Sequence, residues 1–214
     1  MKAMISTLSL AISLAFAASP VMAQTAPAET AAAAAPTAAD AEAFIAAAEK
    51  DLFDYTVEAS QVNWVNYNFI TEDTDAMAAR INAIGTEKAV KYALEAARYR
   101  DVPGLSADTK RKLDILRNGI VLPAPTTKGA AAELNRIATD LSSQYGKGKG
   151  TLDGKPIAGS DIEAEMGNLE HTPAQFAEMW TSWHDNVGAP MKGDYAKMVG
   201  IANEGAKELG FSDV

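Results

Sequence analysis

Residues 171–188, HTPAQFAEMWTSWHDNVG, decide how this chain is read. Thr172 is placed to cap a first turn, Pro173 suits the first helical position, and Gln175 stands three residues after the cap. That pattern satisfies two of the backbone N–H groups left open at a helix start. Phe176, Met179, Trp180, Trp183 and Val187 recur at spacings of three and four, so one apolar stripe is predicted. Gly188 and Pro190 are expected to stop the helix. Two tryptophans three apart on one stripe require a deep partner surface.

The same helical grammar extends in both directions. A long helix is predicted from Asp40, read as its N-cap, to about Asn68, with Phe44, Ala48, Leu52, Tyr55, Ala59 and Val62 on one face. Two shorter helices follow, over 75–84, ended by Gly85, and over 86–100, capped by Thr86. Met77, Ile81 and Ile84 are expected inward on the first, and Val90, Ala93, Leu94 and Ala97 on the second. Ser106 caps a predicted helix to about Asn118 that buries Leu113 and Leu116. Another is expected over 128–145, with Leu134, Ile137, Ala138, Leu141 and Tyr145 on its stripe. Ser160 and Glu163 form a capping-box pattern for a short helix to about Asn168. A last helix is predicted over 190–209, with Met191, Tyr195, Met198, Val199, Ala202, Ala206 and Leu209 inward and Gly210 closing it. Only the stretch near 147–159 departs from this pattern. There Asp153-Gly154 is a hairpin-turn signal, so a small β-hairpin or an irregular loop is expected. The predicted fold is all-α, built of long and short antiparallel helices.

Composition bounds the function classes. With 214 residues the chain can bury a core of its own. Hydrophobic residues make up 48% but aromatics only 7%; much of the apolar count is alanine, which favours helix and buries little area. A formal charge of −9 argues against a nucleic-acid partner. Cysteine is absent, which excludes a disulfide framework and thiolate chemistry. Residues 1–23 resemble a secretory signal: Lys2, an apolar run over 5–18, and small residues before Gln24. The run is shorter than the ~20 residues a bilayer needs, so no transmembrane segment is expected after cleavage. Export to the periplasm or beyond the cell follows as an expectation. Residues 24–39 are an Ala/Pro/Thr linker, and 40–214 are the expected folded part.

Chemistry-bearing patterns are scarce. His171 and His184 belong to no H-E-x-x-H pair and to no zinc-ligand spacing, and are expected on the surface. There is no G-x-S-x-G. The Gly-Lys alternation over 146–150 lacks the frame of a phosphate loop. Lys110, Arg111, Lys112 and Arg117 form a basic cluster diluted by Asp108 and Asp114, as on a solvated face. The Asn- and aromatic-rich end over 63–69 is either an amphipathic end fraying into a turn or a polar surface aimed at a ligand. No residue is assigned a catalytic or metal-binding role.

Three ordered stretches carry a resemblance. ASQVNWVNYNFIT over 59–71 is similar to the Asn-Trp…Ile-Thr segment on the first long helix of the angiotensin-converting-enzyme family of zinc peptidyl-dipeptidases. WTSWHD over 180–185 resembles that family's W-x-x-W-x-D element, and LGFSD over 209–213 resembles the stretch entering its G-[YF]-x-D segment. The resemblance implies the N-terminal lobe of a larger helical, two-lobed metallopeptidase that removes dipeptides from peptide C-termini. Its zinc, held by an H-E-x-x-H helix and a downstream Glu, and its activating chloride would lie outside this stretch. The implied partners are a peptide substrate and a zinc-bearing C-terminal half, without which this chain is expected to be inactive. Of the family's cleft residues only Asn63 has a matching position, as a substrate-binding residue. Where members carry acidic cleft residues, this chain has Ser142 near Tyr145, and Gly159 before Asp161. The alternatives are a non-catalytic helical module that binds peptides or a protein partner, and an unrelated helical structural protein.

Overall fold

The computed structural model describes residues 35–214. The expected signal segment and most of the expected linker lie outside them. Helices α1 (Ala38–Asn68), α2 (Glu72–Ala97), α3 (Ala107–Asn118) and α4 (Ala130–Lys147) come first. Strands β1 (Lys149–Leu152) and β2 (Lys155–Ala158) follow, then α5 (Gly159–Glu165), α6 (Pro173–Trp183), a π-helical turn over His184–Gly188, and α7 (Ala189–Glu208). Among the described residues the fold is all-α apart from this one antiparallel hairpin. No helix among the described residues is long and apolar enough to cross a membrane.

Helix α2 is the hub, packing on α1, α3 and α4; α7 lies on α4, and α6 lies on β1. Two apolar cores result. Ala41, Ile45, Ala96, Tyr99, Val102 and Leu113 close the α1–α2–α3 end, and Phe44 stacks on Tyr99 with ring centroids 5.3 Å apart. Leu134, Ile137, Leu141, Met198 and Ala202 close the α4–α7 seam. Leu134 and Ile137 are almost fully buried, worth about 1.5–3 kcal/mol each. Ala59 on α1 and Ala78 and Ala83 on α2 are buried small residues, and polar pairs also join these two helices. Asp51 on α1 accepts from Lys88 Nζ at 2.5 Å and from Tyr92 Oη at 2.7 Å. Burial, reinforced by that carboxylate, pushes the Tyr92 phenol up to about 12.

Several helix boundaries differ from the expected ones. Thr37, not Asp40, is the N-cap of α1; Asp40 sits three residues in and closes a capping box, accepting from Thr37 N at 2.8 Å. Two reciprocal bonds satisfy more of the open helix start than Asp40 could by capping alone. The helices expected over 75–84 and 86–100 are one helix, α2, capped by Thr71. Gly85 does not end it. Tyr55 from α1 lies directly over Gly85 and donates to Ile81 O at 3.2 Å, so a Cβ there would collide with the phenol. This glycine serves a close helix–helix approach. On the same helix Met77, Ile84 and Leu94, expected inward, are exposed.

Ser160 does not cap α5. Ala158 holds that position without a side-chain bond, since it is still paired with Lys149 in the sheet and the hairpin sets where the helix begins. Gly188 and Pro190 do not break the chain's helical course either. The backbone N–H of Ala189 bonds to His184 O, five residues back, and α7 continues with Pro190 in its first turn. Proline lacks an N–H and its ring crowds the carbonyl four residues earlier; the wide turn just upstream relieves that clash. At the far end Phe211 N–H reaches Ala206 O at 3.0 Å and Gly210 N–H reaches Lys207 O at 3.0 Å, the two-bond closure expected at Gly210. The hairpin turn is Asp153-Gly154, with φ of 50° and 71°. Paired left-handed residues suit a two-residue hairpin, and glycine takes the second without strain.

Candidate functional site

Two surfaces carry the residues singled out in the sequence. The first is the end of α1. Asn63 is part-buried against α2, where its Nδ2 donates to Asn82 Oδ1 at 3.0 Å and the Asn82 amide returns a bond at 3.3 Å. Each amide keeps one N–H and one lone pair beyond this exchange. One turn on, buried Asn66 donates to Asp75 Oδ1 at 2.8 Å. The other oxygen of Asp75 accepts from Ser143 Oγ at 2.7 Å and from Lys147 Nζ at 3.3 Å, which ties α1, α2 and α4 at one point. Burial alone would raise the Asp75 carboxyl; the Ser143, Asn66 and Lys147 donors outweigh it and hold the group below the ordinary aspartate range. Asn68 bonds to Trp64 O within its own helix, and α1 stays regular to its end. The asparagines over 63–68 therefore divide between a local bond and two cross-helix links. Trp64, Tyr67 and Phe69 are left exposed, and a shallow groove of about 410 Å³ runs past Tyr55, Ala59, Asn63, Trp64 and Tyr67.

The second surface joins the hairpin to α6. Thr172 and Gln175 form the predicted capping box, and Gln175 Nε2 also reaches Asp153 at the hairpin tip. Glu178 accepts from the backbone N–H groups of Asp153 at 3.0 Å and Gly154 at 2.9 Å. The Gly154 contact leads in drawing its carboxyl below the usual range. Ser182 Oγ accepts from Thr151 N at 2.8 Å. Trp183 packs over Gly159, where a Cβ would lie 2.5 Å from the indole, and meets Tyr145 edge-on at 5.4 Å between centroids. The stripe is narrower than predicted. Met179 and Val187 are buried, but Trp180 is 58% exposed. Tyr145 and Tyr195, expected inward, are also exposed. Tyr145, Trp183, Val187, Met191 and Tyr195 line a cavity of about 560 Å³ beside the π-helical turn. Ser142 and Asp161 are exposed and join neither surface's bonding.

The histidines are each engaged locally. His184 lies against Trp180, ring centroids 4.0 Å apart, with Nδ1 2.6 Å from Trp180 O. A carbonyl can only accept, so Nδ1 carries the proton. His171, expected on the surface, is largely covered: its Nε2 is 2.7 Å from Glu165 Oε2 and its ring meets Phe176 edge-on. Among the described residues no group of three or more His, Cys, Asp and Glu side chains could hold a metal ion. The two histidines sit on separate supports, and this donor set does not fit zinc. Residues that sequence reasoning passed over are Asp75, Ser143, Glu178 and Ser182. The glycine at 150 was the available signal for Ser182, whose Oγ would lie 2.9 Å from a Cβ there.

Comparison with known proteins places this architecture. The family model described as angiotensin-converting enzyme, peptidase family M2, matches residues 35–214. The angiotensin-converting enzyme of Mesocricetus auratus is 26% identical over 177 residues, covering 81% of this chain and 13% of that protein. That of Mus musculus is 25% identical over the same length and coverage. That of Haematobia irritans exigua is 24% identical over 171 residues, 77% of this chain and 27% of that protein. The chain thus spans between about an eighth and a quarter of the length of these relatives. A match running from the turn before α1 to the last residue makes this chain a member of the angiotensin-converting-enzyme family of peptidases.

Proposed function

We propose that residues 35–214 form the N-terminal, cleft-covering part of an exported zinc metallopeptidase that removes dipeptides from the C-termini of peptides. On this reading the chain by itself is inactive. The observation that carries it is the family match over the whole folded part, set against the small share of each relative that this chain spans. The signal-like segment over 1–23 supports export to the periplasm or outside the cell. Asn63, with its spare amide N–H beside the groove at Trp64 and Tyr67, is the residue of this part that would meet peptide backbone. Zinc, and chloride where it activates, would be held by residues outside this stretch, and none of the side chains described above takes part in binding them. The test is direct. Purified protein is assayed for zinc content and for release of dipeptides from a blocked oligopeptide, with and without added zinc. No hydrolysis and no stoichiometric zinc are expected; tight zinc at one per chain with dipeptide release would overturn the claim.

One observation favours a second reading, a peptide-binding module without catalysis. Every buried side-chain nitrogen and oxygen among the described residues has a hydrogen-bond partner, and both cores are closed within this stretch. Such a unit has what it needs to fold alone. A cooperatively melting monomer that binds peptide without metal is the result that would favour it. An aggregating, molten chain would count against it.

A further inference from the structure

On the side of α2 facing the connector before α4 lies a groove of about 610 Å³ that belongs to neither surface above. Its floor is apolar: Val90 and Leu94 from α2, Ala124 and Pro125 from the connector, Ala131 from α4. Both walls are fixed. Thr126 N–H donates to Glu208 Oε2 at 2.7 Å, and the connector backbone at Pro123 and Ala124 rests on Gly205 of α7, where no Cβ would fit. Across the groove Asn135 Nδ2 donates to Thr86 Oγ1 at 2.8 Å, which locks α4 to α2. This is a preformed concavity of the size small ligands use.

Its rim is charged in both signs and left open. Glu87 and Glu95 stand on the α2 edge, Arg98 closes one end, and Lys128 rises from the connector. Glu87, Lys91, Glu95 and Arg98 follow one another at the three- and four-residue spacings that let helical ion pairs close. Elsewhere in the molecule that spacing does close: Lys50 with Asp54, Arg111 with Asp108, Arg136 with Asp140. Around the groove none of these groups forms an ion pair among the described residues, and the Lys91 ammonium instead lies 5.6 Å from the Tyr92 ring. Carboxylates and cations therefore alternate along α2 at about 6 Å per step, by helix rise. The termini of a dipeptide lie roughly 7 Å apart when extended, by backbone reach. A neutral apolar ligand would leave these charges unused, and a simple anion would face Glu87 and Glu95.

We infer that this groove is a second peptide site, distinct from the Asn63 surface, which takes a zwitterionic dipeptide with apolar side chains. The apolar floor receives the side chains, Glu87 or Glu95 meets the ammonium, and Arg98 or Lys128 meets the carboxylate. The choice of a peptide as occupant rests on the reading of the chain as part of a dipeptide-releasing enzyme; the site would let a released product bind away from the cleft. Binding here is read without hydrolysis, so its failure leaves that reading standing.

The experiment titrates the ¹⁵N-labelled full chain with the dipeptide Leu-Phe, with N-acetyl-Leu-Phe and with Leu-Phe amide. Saturable amide shifts centred on Val90, Leu94 and Ala131 are expected with the free dipeptide, weakened roughly fivefold by blocking either terminus. The exposed charge reversal Lys128→Glu with Arg98→Glu is expected to weaken Leu-Phe roughly tenfold and to leave Leu-Phe amide no weaker. Its melting temperature serves as the check on folding. Filling the groove from its exposed side by Leu94→Trp should abolish the shifts for all three ligands. Equal affinity for free and blocked forms would overturn the inference, as would shifts centred on Asn63 or Trp183. No saturation up to about 10 mM would do so too.

Discussion

Removing the Asp75 carboxylate is the sharpest test of how the end of α1 is held. Asp75→Ala deletes the acceptor for Asn66 Nδ2 at 2.8 Å and for Ser143 Oγ at 2.7 Å, and releases Lys147. Asn66 keeps a weaker contact to Thr74 Oγ1 at 3.3 Å, while buried Ser143 loses its side-chain partner. A bond to a charged group contributes about 1.5–3 kcal/mol and an orphaned buried donor costs about 1–3 kcal/mol. Allowing for relaxation, the variant is expected to lose about 3 kcal/mol, or roughly 6–12 °C in melting temperature for a chain of this size. Asp75→Asn preserves the shape but turns one acceptor into a donor that faces Lys147 or Asn66, and should lose about half as much. The pH dependence has a fixed sign. The folded carboxyl lies below its ordinary value of 3.8, so the unfolded chain binds the proton more readily. The stabilisation is complete above that ordinary value and fades as pH falls through the lower folded one. The difference between the wild-type chain and Asp75→Asn should be flat near neutral pH and shrink only in that acid window. Thermal melts across pH, with hydrogen exchange at 66–70 and 143–147, make the measurement. An Asp75→Ala variant melting within about 1 °C of wild type would refute the reasoning, because no three-helix tie of this kind could then be carrying load.

Further outcomes follow from single contacts. Gly85→Ala puts a methyl into the Tyr55 phenol and should cost about 1–3 kcal/mol, read by urea denaturation; combining it with Tyr55→Ala should cost less than the sum of the two single changes, since the clash is then gone. Glu178→Gln is expected to speed hydrogen exchange at the Asp153 and Gly154 amides while leaving those of α4 unchanged. Trp183→Ala removes the half-buried indole from Gly159 and Tyr145 and should cost about 2–3 kcal/mol, with the hairpin amides losing protection first.

Much of the fold was legible because helix signals are local. The Thr172–Gln175 box, the Ser106 cap, the Asp153-Gly154 turn and the Gly210 closure all appear where residue chemistry places them. The misplacements share a cause. Gly85 and Gly188–Pro190 are breakers by composition, yet one is held inside a helix by Tyr55 and the other is absorbed by a widened turn. Each rescue comes from a neighbour or a backbone adjustment that no local window contains. Trp180 and Leu94 were placed inward by period, which gives the face of a helix but not how many partners cover it. The candidate site was less legible still. Asn63 stood out through resemblance, whereas its partner Asn82 and the Asp75 junction depend on which turns of α1, α2 and α4 lie abreast.

The π-helical turn over His184–Gly188 leaves α6 and α7 joined without a loop, and so without slack. Adding one residue there would turn everything that follows by about 100°. Met198, Ala202 and Ala206, which now face inward, would swing toward solvent together. Gly188–Pro190 looks like the natural place for a family to vary in length. Here it is the place where the register of the whole C-terminal helix is kept, so length variation should instead gather at the hairpin tip and in the connectors before α3 and α4.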